Sequence, residues 1–308
     1  MKPKIVLIVA VVASCFWTTA EGVVPANATT PGTNGRIAFQ MDFGRGAQIY
    51  TIRPNGLGIR QLTKVHGSAE SPDWSPDGTR IAFQAEDGPN GVWIMNANGT
   101  GLQQVVASGA QPAFTPDGTH LVYDCPDCTG GQGIFLVNAD GSDAPGTRLT
   151  TNPSGYEGDT NPEVSPDETT VTFVRRKTEG ELQALFAVNI DGTDVRRLVP
   201  YRFNVFIKHD WAPNGRHIVF SSPIDGSANV YTVTPDGSHR AQLTHVQPDV
   251  GAIAGSYSPD GRWIAFRWEN QSIGVYRLMR MHPDGSARST VTTAPIGPRF
   301  IDWGPAPS

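Results

Sequence analysis

The stretch that decides the fold is SPDWSPDGTRIAF, residues 71–83. In it, Trp74 precedes the sequence Ser-Pro-Asp-Gly, and the apolar run RIAF (80–83) follows. Proline fixes φ and glycine accepts positive φ, so Pro-Asp-Gly predicts a tight turn between two strands. Related turns recur along the chain, with proline at positions 76, 116, 166, 213 and 259 and spacings of 40, 50, 47 and 46 residues.

Two further motifs recur in register with this turn. An Asn/Asp-Gly pair, a strong hairpin signal, follows in every repeat. Each repeat then closes on a short apolar and threonine-rich motif, with QLT, QVV, RLT, RLV, QLT and TVT at 61–63, 104–106, 148–150, 197–199, 242–244 and 290–292. A period in the forties with this many turns predicts a β-propeller with one four-stranded blade per repeat.

The two ends of the sequence predict how the ring closes. NGRIAF (34–39) corresponds to a second strand without a first strand before it, and QIYTIR (48–53) and RQLT (60–63) supply the third and fourth strands. FIDWGP (300–305) corresponds to an isolated first strand. Pairing this C-terminal strand with the N-terminal blade completes an all-β, six-bladed propeller over 34–305 and removes both free sheet edges.

Composition narrows the class of protein. Charged residues make up 17% of the chain, 34 glycines and 25 prolines are present, and the formal net charge is −5. Such a composition is typical of a turn-rich β protein. It lacks the basic character of a nucleic-acid-binding protein, so no nucleic-acid partner is expected.

The N-terminus has the pattern of an export signal. Two lysines precede a short apolar run at 5–17, and Ala-Asn-Ala at 26–28 is a small-residue cleavage pattern. We therefore predict a signal peptide over 1–28, a linker over 29–33, and an extracytoplasmic protein that is secreted, periplasmic or on the cell surface. Val-Ala-Ser-Cys at 12–15 leaves a lipid anchor at Cys15 as the alternative. No window after this run reaches the length of a membrane span.

Cysteine usage points in the same direction. Cys125 and Cys128 enclose Pro-Asp in a glycine-rich region, and no second cysteine pair exists that would complete a zinc site. We predict a disulfide between these two residues in an oxidising compartment. It closes so short a loop that its stabilising effect should be small.

Together the three recurring motifs resemble the TolB-like, WD-like propeller repeats of bacterial envelope proteins, over essentially all of residues 34–305. The resemblance implies the propeller fold. It also implies binding of a protein or peptide partner in the cell envelope.

The loops predict which face of the propeller is functional. The turns between first and second strands and between third and fourth strands are short and repetitive. Loops between second and third strands, and between consecutive blades, are long and differ from blade to blade; they form what is called here the variable face. Function usually lies on such loops. The predicted ligand-binding residues near the channel mouth on this face are Glu70, Gln111, Asn161, Lys208, His209 and Arg299.

One position before the aromatic or apolar residue that ends each first strand, four of six blades carry an acid. These residues are called here the axial acids: Asp73, Glu163, Asp210 and Asp302. They favour either of two interpretations. Each carboxylate accepts hydrogen bonds from the neighbouring blade, as buried acids usually require. Alternatively, the group binds an axial cation such as calcium. We expect no other cofactor.

Two functional hypotheses remain. The first is an exported, non-enzymatic binding module, because the chain consists of repeats and lacks Gly-x-Ser-x-Gly and His-Glu-x-x-His motifs. The alternative is a secreted carbohydrate-active hydrolase or lyase with its site at the channel mouth. With Glu70 and Asp249, the histidines His66, His209 and His245 could form a general acid/base group or bind a metal, and their clustering would favour that alternative.

Overall fold

The computed structural model describes residues 32–86, 90–129, 131–206, 208–292 and 297–307. The predicted signal peptide, Cys15 and most of the linker lie outside these residues. Within the described ranges, regular structure consists of β-strands and three short 3-10 helices, Glu179–Glu181, Tyr201–Phe203 and Gln271–Ile273. Among the described residues, none of the helices has the length and apolarity to cross a bilayer.

The strands form six antiparallel four-stranded sheets. Blade 1 contains β1 (Asn34–Asp42), β2 (Ala47–Ile52) and β3 (Arg60–Gln61). Blade 2 contains β4 (Ser68–Trp74), β5 (Arg80–Glu86), β6 (Gly91–Asn96) and β7 (Gln103–Val106). Blade 3 contains β8 (Ala110–Phe114), β9 (His120–Cys125), β10 (Gly133–Asn138) and β11 (Thr147–Arg148).

The second half of the ring repeats the arrangement. Blade 4 contains β12 (Tyr156–Val164), β13 (Thr170–Lys177), β14 (Gln183–Asn189) and β15 (Arg196–Val199). Blade 5 contains β16 (Asp210–Trp211), β17 (Ile218–Ser222), β18 (Asn229–Val233) and β19 (Arg240–Gln242). Blade 6 contains β20 (Val250–Tyr257), β21 (Ile264–Asn270), β22 (Val275–Met281) and β23 (Ser289–Thr290). The last strand, β24 (Arg299–Pro305), returns to blade 1.

Ring closure occurs as predicted. β24 pairs with β1, with Trp303 opposite Ile37 and Asp302 opposite Ala38. Trp303 is among the largest fully buried side chains. Gly304 allows blade 1 to approach blade 2, because a Cβ atom at this position would overlap the Trp74 indole. The six-bladed, all-β architecture predicted from the repeats is thereby confirmed.

The core lies between the blades and has the same pattern in each. The second strand of every blade contributes one buried aromatic side chain, and these are Phe39, Phe83, Tyr123, Phe173, Phe220 and Phe266. Burial of a side chain of this size stabilises the fold by about 1.5–3 kcal/mol. Residues of adjacent blades share the hydrophobic clusters; Ala38 and Ile49 of blade 1, for example, pack with Ile81 and Phe83 of blade 2.

Most fourth strands end before the Leu-Thr motif rather than on it. The reason is visible at Thr63, Thr150 and Thr244, which are buried beside the third strand. Their hydroxyl oxygens accept hydrogen bonds from the backbone N–H groups of Ile49, Ile134 and Val230. A side chain therefore replaces the carbonyl that a continued strand would supply.

Candidate functional site

The innermost strand of a blade lines the channel, and in most blades it contains a bulge. The bulge lies three residues before Trp74, Phe114, Val164 or Trp303. Its φ is positive, 47–52°, in four blades, at Ser71, Gln111, Asn161 and Phe300. The register to the second strand shifts at the same place. A bulge re-aims the side chains around it. Here it places one set of residues at the channel mouth and the axial acids deeper in the channel.

Three of the four axial acids tie adjacent blades together. Asp302 accepts a hydrogen bond from the N–H of Trp74 at 2.8 Å. Asp73 accepts one from Phe114 at 2.8 Å, and Asp210 accepts one from Tyr257 at 2.7 Å. At these three positions the carboxylates accept hydrogen bonds from the neighbouring blade, as the first of the two interpretations predicts.

Glu163 differs from the other axial acids because its carboxylate faces a cation. Its Oε1 lies 2.6 Å from the Nζ atom of Lys208, and both side chains are largely buried. Burial alone would lower the pKa of Lys208, but Glu163, Asp302, Asp210 and Asp73 raise it above its usual value. Burial raises the pKa of Glu163, and Lys208 opposes that shift. The lysine ammonium thus supplies the positive charge in this acidic part of the channel.

The axial acids surround a small cavity of about 40 Å³ on the side of the Pro-Asp-Gly turns. Burial and mutual repulsion raise the pKa values of Asp73 and Asp210 well above normal. Nowhere in the described ranges do three or more His, Cys, Asp or Glu side chains form a group suited to a metal ion.

A second set of bonds between blades lies nearer the variable face. Gln40 Oε1 accepts a hydrogen bond from Ser71 N–H at 2.8 Å, and Gln84 Oε1 accepts one from Gln111 N–H at 3.0 Å. In these bonds the residue after the buried aromatic of a second strand accepts from the bulge of the next blade. In blade 5 the equivalent acceptor is Ser221, to Ala254, whereas the N–H of Asn161 in blade 4 donates to Gln111 Oε1 at 3.0 Å.

Blades 4 and 6 cannot make this bond. Their equivalent residues are Val174, which has no polar side-chain atom, and Arg267, which has only donors. At these two junctions the bulge-equivalent residues of the next blade are Lys208 and Phe300. A cavity larger than that of the axial acids lies at these junctions.

This cavity, called here the mouth pocket, has a volume of about 420 Å³. Its wall is mainly apolar and contains Phe206, Ile253, Ala254, Pro298, Phe300 and Ile301. Gln183 and three cationic residues, Lys208, Arg267 and Arg299, complete the lining. A concave apolar site with a few polar groups is the usual form of a ligand pocket.

The predicted site residues do not all lie in one pocket. Lys208 and Arg299 line the mouth pocket. Gln111 and Asn161 line a neighbouring cavity of about 10 Å³, which Lys208 also borders. Glu70 is half-buried; burial and Glu86 raise its pKa, whereas Gln40, Ser68 and the charge of Arg299 lower it.

His209 is placed elsewhere. Its ring is fully buried, and Nε2 lies 2.9 Å from the hydroxyl oxygen of Thr172 in blade 4. His66 and His245 are exposed. His209 therefore contributes to the packing between blades 4 and 5, and it does not face the mouth pocket.

Arg267 is a pocket residue that was not predicted from the sequence, although a signal for it exists. Aligned on the buried aromatic, the following residues read Gln40, Gln84, Asp124, Val174, Ser221 and Arg267. Arginine is the only cation in this series. The pocket lies where the residue at this position cannot accept a hydrogen bond.

Cys125 and Cys128 form a disulfide within the second-to-third loop of blade 3. Cys125 is fully buried in the cluster shared by blades 2 and 3. The bond therefore holds this loop of the variable face against the body of the propeller.

Comparison with known proteins connects the fold to a family. The family model described as the TolB beta propeller domain matches residues 106–307. An uncharacterized protein of Agrobacterium fabrum is 33% identical over 101 residues, which cover 32% of this chain and 31% of that protein. The Tol-Pal system protein TolB of Syntrophus aciditrophicus is 36% identical over 80 residues, 23% of this chain and 17% of that protein. Each alignment thus covers less than a third of the relative.

Solved structures share the architecture. TolB from Acinetobacter baumannii superposes with a TM-score of 0.68 at 18% identity, covering 88% of this chain and 67% of that one. An oligogalacturonate lyase in complex with manganese superposes with a TM-score of 0.53 at 11% identity, covering 85% and 74%. Identities this low show the fold alone. With six blades and a family match that spans well over half of its length, the chain belongs to the TolB beta-propeller domain family.

Proposed function

We propose that this chain is an exported, non-enzymatic binding module that holds a protein or peptide partner on its variable face. The observation that carries the proposal is the mouth pocket. Its volume of about 420 Å³ falls in the range of ligand sites. Its apolar wall can bury apolar side chains of a partner, and its three cationic side chains can orient the partner's polar groups.

Two further features support this function. The Cys125–Cys128 disulfide suits an oxidising, extracytoplasmic compartment. The relative named as a Tol-Pal system protein connects the repeat to the envelope of a bacterium. The partner itself would be an envelope protein or a segment of one.

Affinity capture tests the proposal. The mature protein, residues 29–308, is tagged and incubated with the envelope fraction of its source cells, and retained proteins are identified by mass spectrometry. The test variant is Ile253→Lys, which extends a charged side chain from the half-buried wall of the pocket. The matched control is Leu102→Lys, at an exposed apolar residue in a third-to-fourth turn on the opposite face.

The expected result is one protein retained by the wild type and by Leu102→Lys but lost with Ile253→Lys. Circular dichroism and thermal unfolding confirm that both variants are folded. Equal retention by all three proteins, or loss only with Leu102→Lys, would remove the binding site from the variable face.

A further inference from the structure

The mouth pocket carries positive charge that points to the chemistry of its ligand. Arg267 Nη2 lies 2.6 Å from Glu269 Oε2. The Nε atom of Arg267 is buried and has no hydrogen-bond partner in the described part of the chain. A buried donor without a partner is costly, so it marks a place where an acceptor from a ligand would be favourable.

A second guanidinium group lies at the same pocket. Arg299 is exposed and lines the pocket with Arg267. Burial lowers the pKa of Arg267, Glu269 opposes this, and the positive charge of Arg299 lowers it again. The two cations therefore repel each other across the pocket. A carboxylate between them would relieve that repulsion and accept from planar donors, an arrangement in which arginine is especially effective.

Exposed apolar side chains lie on loops of the blades that contribute to this pocket. The second-to-third loops of blades 1, 4, 5 and 6 each present one large apolar side chain that is 37–70% exposed. These are Phe43, Leu182, Ile224 and Ile273, and their blades are the ones that line the mouth pocket. The corresponding loops of blades 2 and 3, at 87–90 and 126–132, contain no large apolar residue. The apolar residues thus form a partial ring on one side of the variable face.

From charge complementarity we infer that this surface binds an extended peptide segment in which an acidic side chain is flanked by large apolar side chains. The carboxylate lies between Arg267 and Arg299, one apolar neighbour enters the mouth pocket, and others contact the partial ring. The inference rests on the proposed function and specifies the partner segment. Apolar burial supplies affinity, and the two arginines supply selectivity for the acid.

The test uses peptides whose ends are blocked, so that only side-chain carboxylates carry negative charge. Random twelve-residue peptides are selected on the wild-type protein by phage display. Recovered sequences are synthesised with acetylated and amidated ends, and dissociation constants are measured by fluorescence polarisation. Each acidic peptide is compared with the same peptide carrying the corresponding amide.

The expected peptides contain Asp or Glu within two positions of a large apolar residue. The amide version should bind about tenfold more weakly or worse, as expected for loss of a charged hydrogen bond. Arg299→Gln, at an exposed position, should weaken the acidic peptide by a similar factor and leave the amide peptide unchanged. Arg267→Lys keeps the charge beside Glu269 and should weaken the acidic peptide as well.

The matched control is Arg262→Gln, an exposed arginine in the first-to-second turn of blade 6. It should bind every peptide as the wild type does. Peptides that are lost with Ile253→Lys but bind equally as acid and amide would overturn the inference and leave the proposed function standing. Peptides that bind Ile253→Lys normally, or a selection that recovers no binding peptide, would contradict both.

Discussion

Lys208 Nζ lies 2.6 Å from Glu163 Oε1 across the junction of blades 4 and 5, and this pair separates two parts of the channel. Glu163 borders the cavity of the axial acids, whereas Lys208 lines the mouth pocket. One lysine therefore compensates a group of buried carboxylates and also forms part of the candidate binding site.

Replacing Lys208 with methionine should destabilise the propeller in a pH-dependent manner. Removing one partner of a buried ion pair costs about 3–5 kcal/mol. Without the ammonium, the already raised pKa values of the axial acids rise further. A carboxyl group whose pKa is raised in the folded state stabilises the fold below the pKa of the unfolded chain. That stability is lost as the pH rises towards the raised pKa of the folded state. The free energy of unfolding, measured with urea, should therefore fall more at pH 8 than at pH 5.

The control for this prediction is Lys64→Met, which removes an exposed lysine. It should change the unfolding free energy little at either pH. An equal loss at pH 5 and pH 8 for the Lys208 variant would show that the axial acids do not depend on its charge.

Calcium provides an independent test of the same group. Because Lys208 supplies positive charge among the axial acids, neither removal of calcium with EGTA nor addition of calcium should change the thermal unfolding of the wild type. A wild-type protein that loses stability in EGTA would instead support the calcium interpretation of these residues.

Asp124→Asn should alter the pH dependence of stability in the opposite sense. Burial raises the pKa of Asp124 to about 8, although Asn161 N–H and Gln132 oppose the shift. In the unfolded chain an aspartate has a pKa of about 4. The wild type therefore loses stability as pH rises from about 4 to about 8, whereas asparagine cannot ionise and still has an oxygen that accepts a hydrogen bond.

Urea unfolding should show the Asp124 variant to be more stable than the wild type at pH 8, with the difference vanishing near pH 4. Asp127→Asn, an exposed position in the nearby disulfide loop, is the control and should follow the wild type. A variant less stable than the wild type at pH 8 would mean that Asp124 is charged in the fold.

Deleting residues 299–308 should open the ring. β24 supplies the innermost strand of blade 1, buries Trp303 and brings the Asp302 carboxylate to the N–H of Trp74. Its loss exposes the edge of β1 and the hydrophobic cluster around Trp303. The truncated chain should melt at a clearly lower temperature, and a synthetic peptide of residues 297–308 should restore stability when added. An unchanged melting temperature would contradict ring closure by this strand.

Ring closure could be predicted from sequence because it repeats a local pattern. Asp302-Trp303 occupies the same position before its turn as Asp73-Trp74, so matching motifs identified both the missing strand and its blade. The turns could also be predicted from sequence, because proline and glycine fix their conformation locally. The exact ends of the fourth strands could not be read in this way, because the hydroxyl of Thr63 and its equivalents competes with backbone pairing.

The binding site could be predicted only in part. Lys208 and His209 are adjacent in sequence, and side chains alternate along an extended segment, so only one of them faces the channel. The Lys208–Glu163 pair joins residues 45 positions apart in different blades. Arg267 differs from the equivalent residues Ser221 and Gln84 in its hydrogen bonding. Those two side chains accept a hydrogen bond from the next blade, whereas the guanidinium group of Arg267 cannot accept one. Such contacts depend on neighbouring blades rather than on one repeat.

Site-specific photo-crosslinking in the source cells tests most directly whether the variable face is the binding surface. Benzoylphenylalanine replaces Ile273 in one variant and Leu102 in another, both exposed apolar positions on opposite faces. After irradiation, adducts are detected by gel shift and identified by mass spectrometry. Our account predicts a discrete protein adduct at Ile273, lost when Ile253→Lys is also present, and none at Leu102. An adduct at Leu102 without one at Ile273 would contradict it.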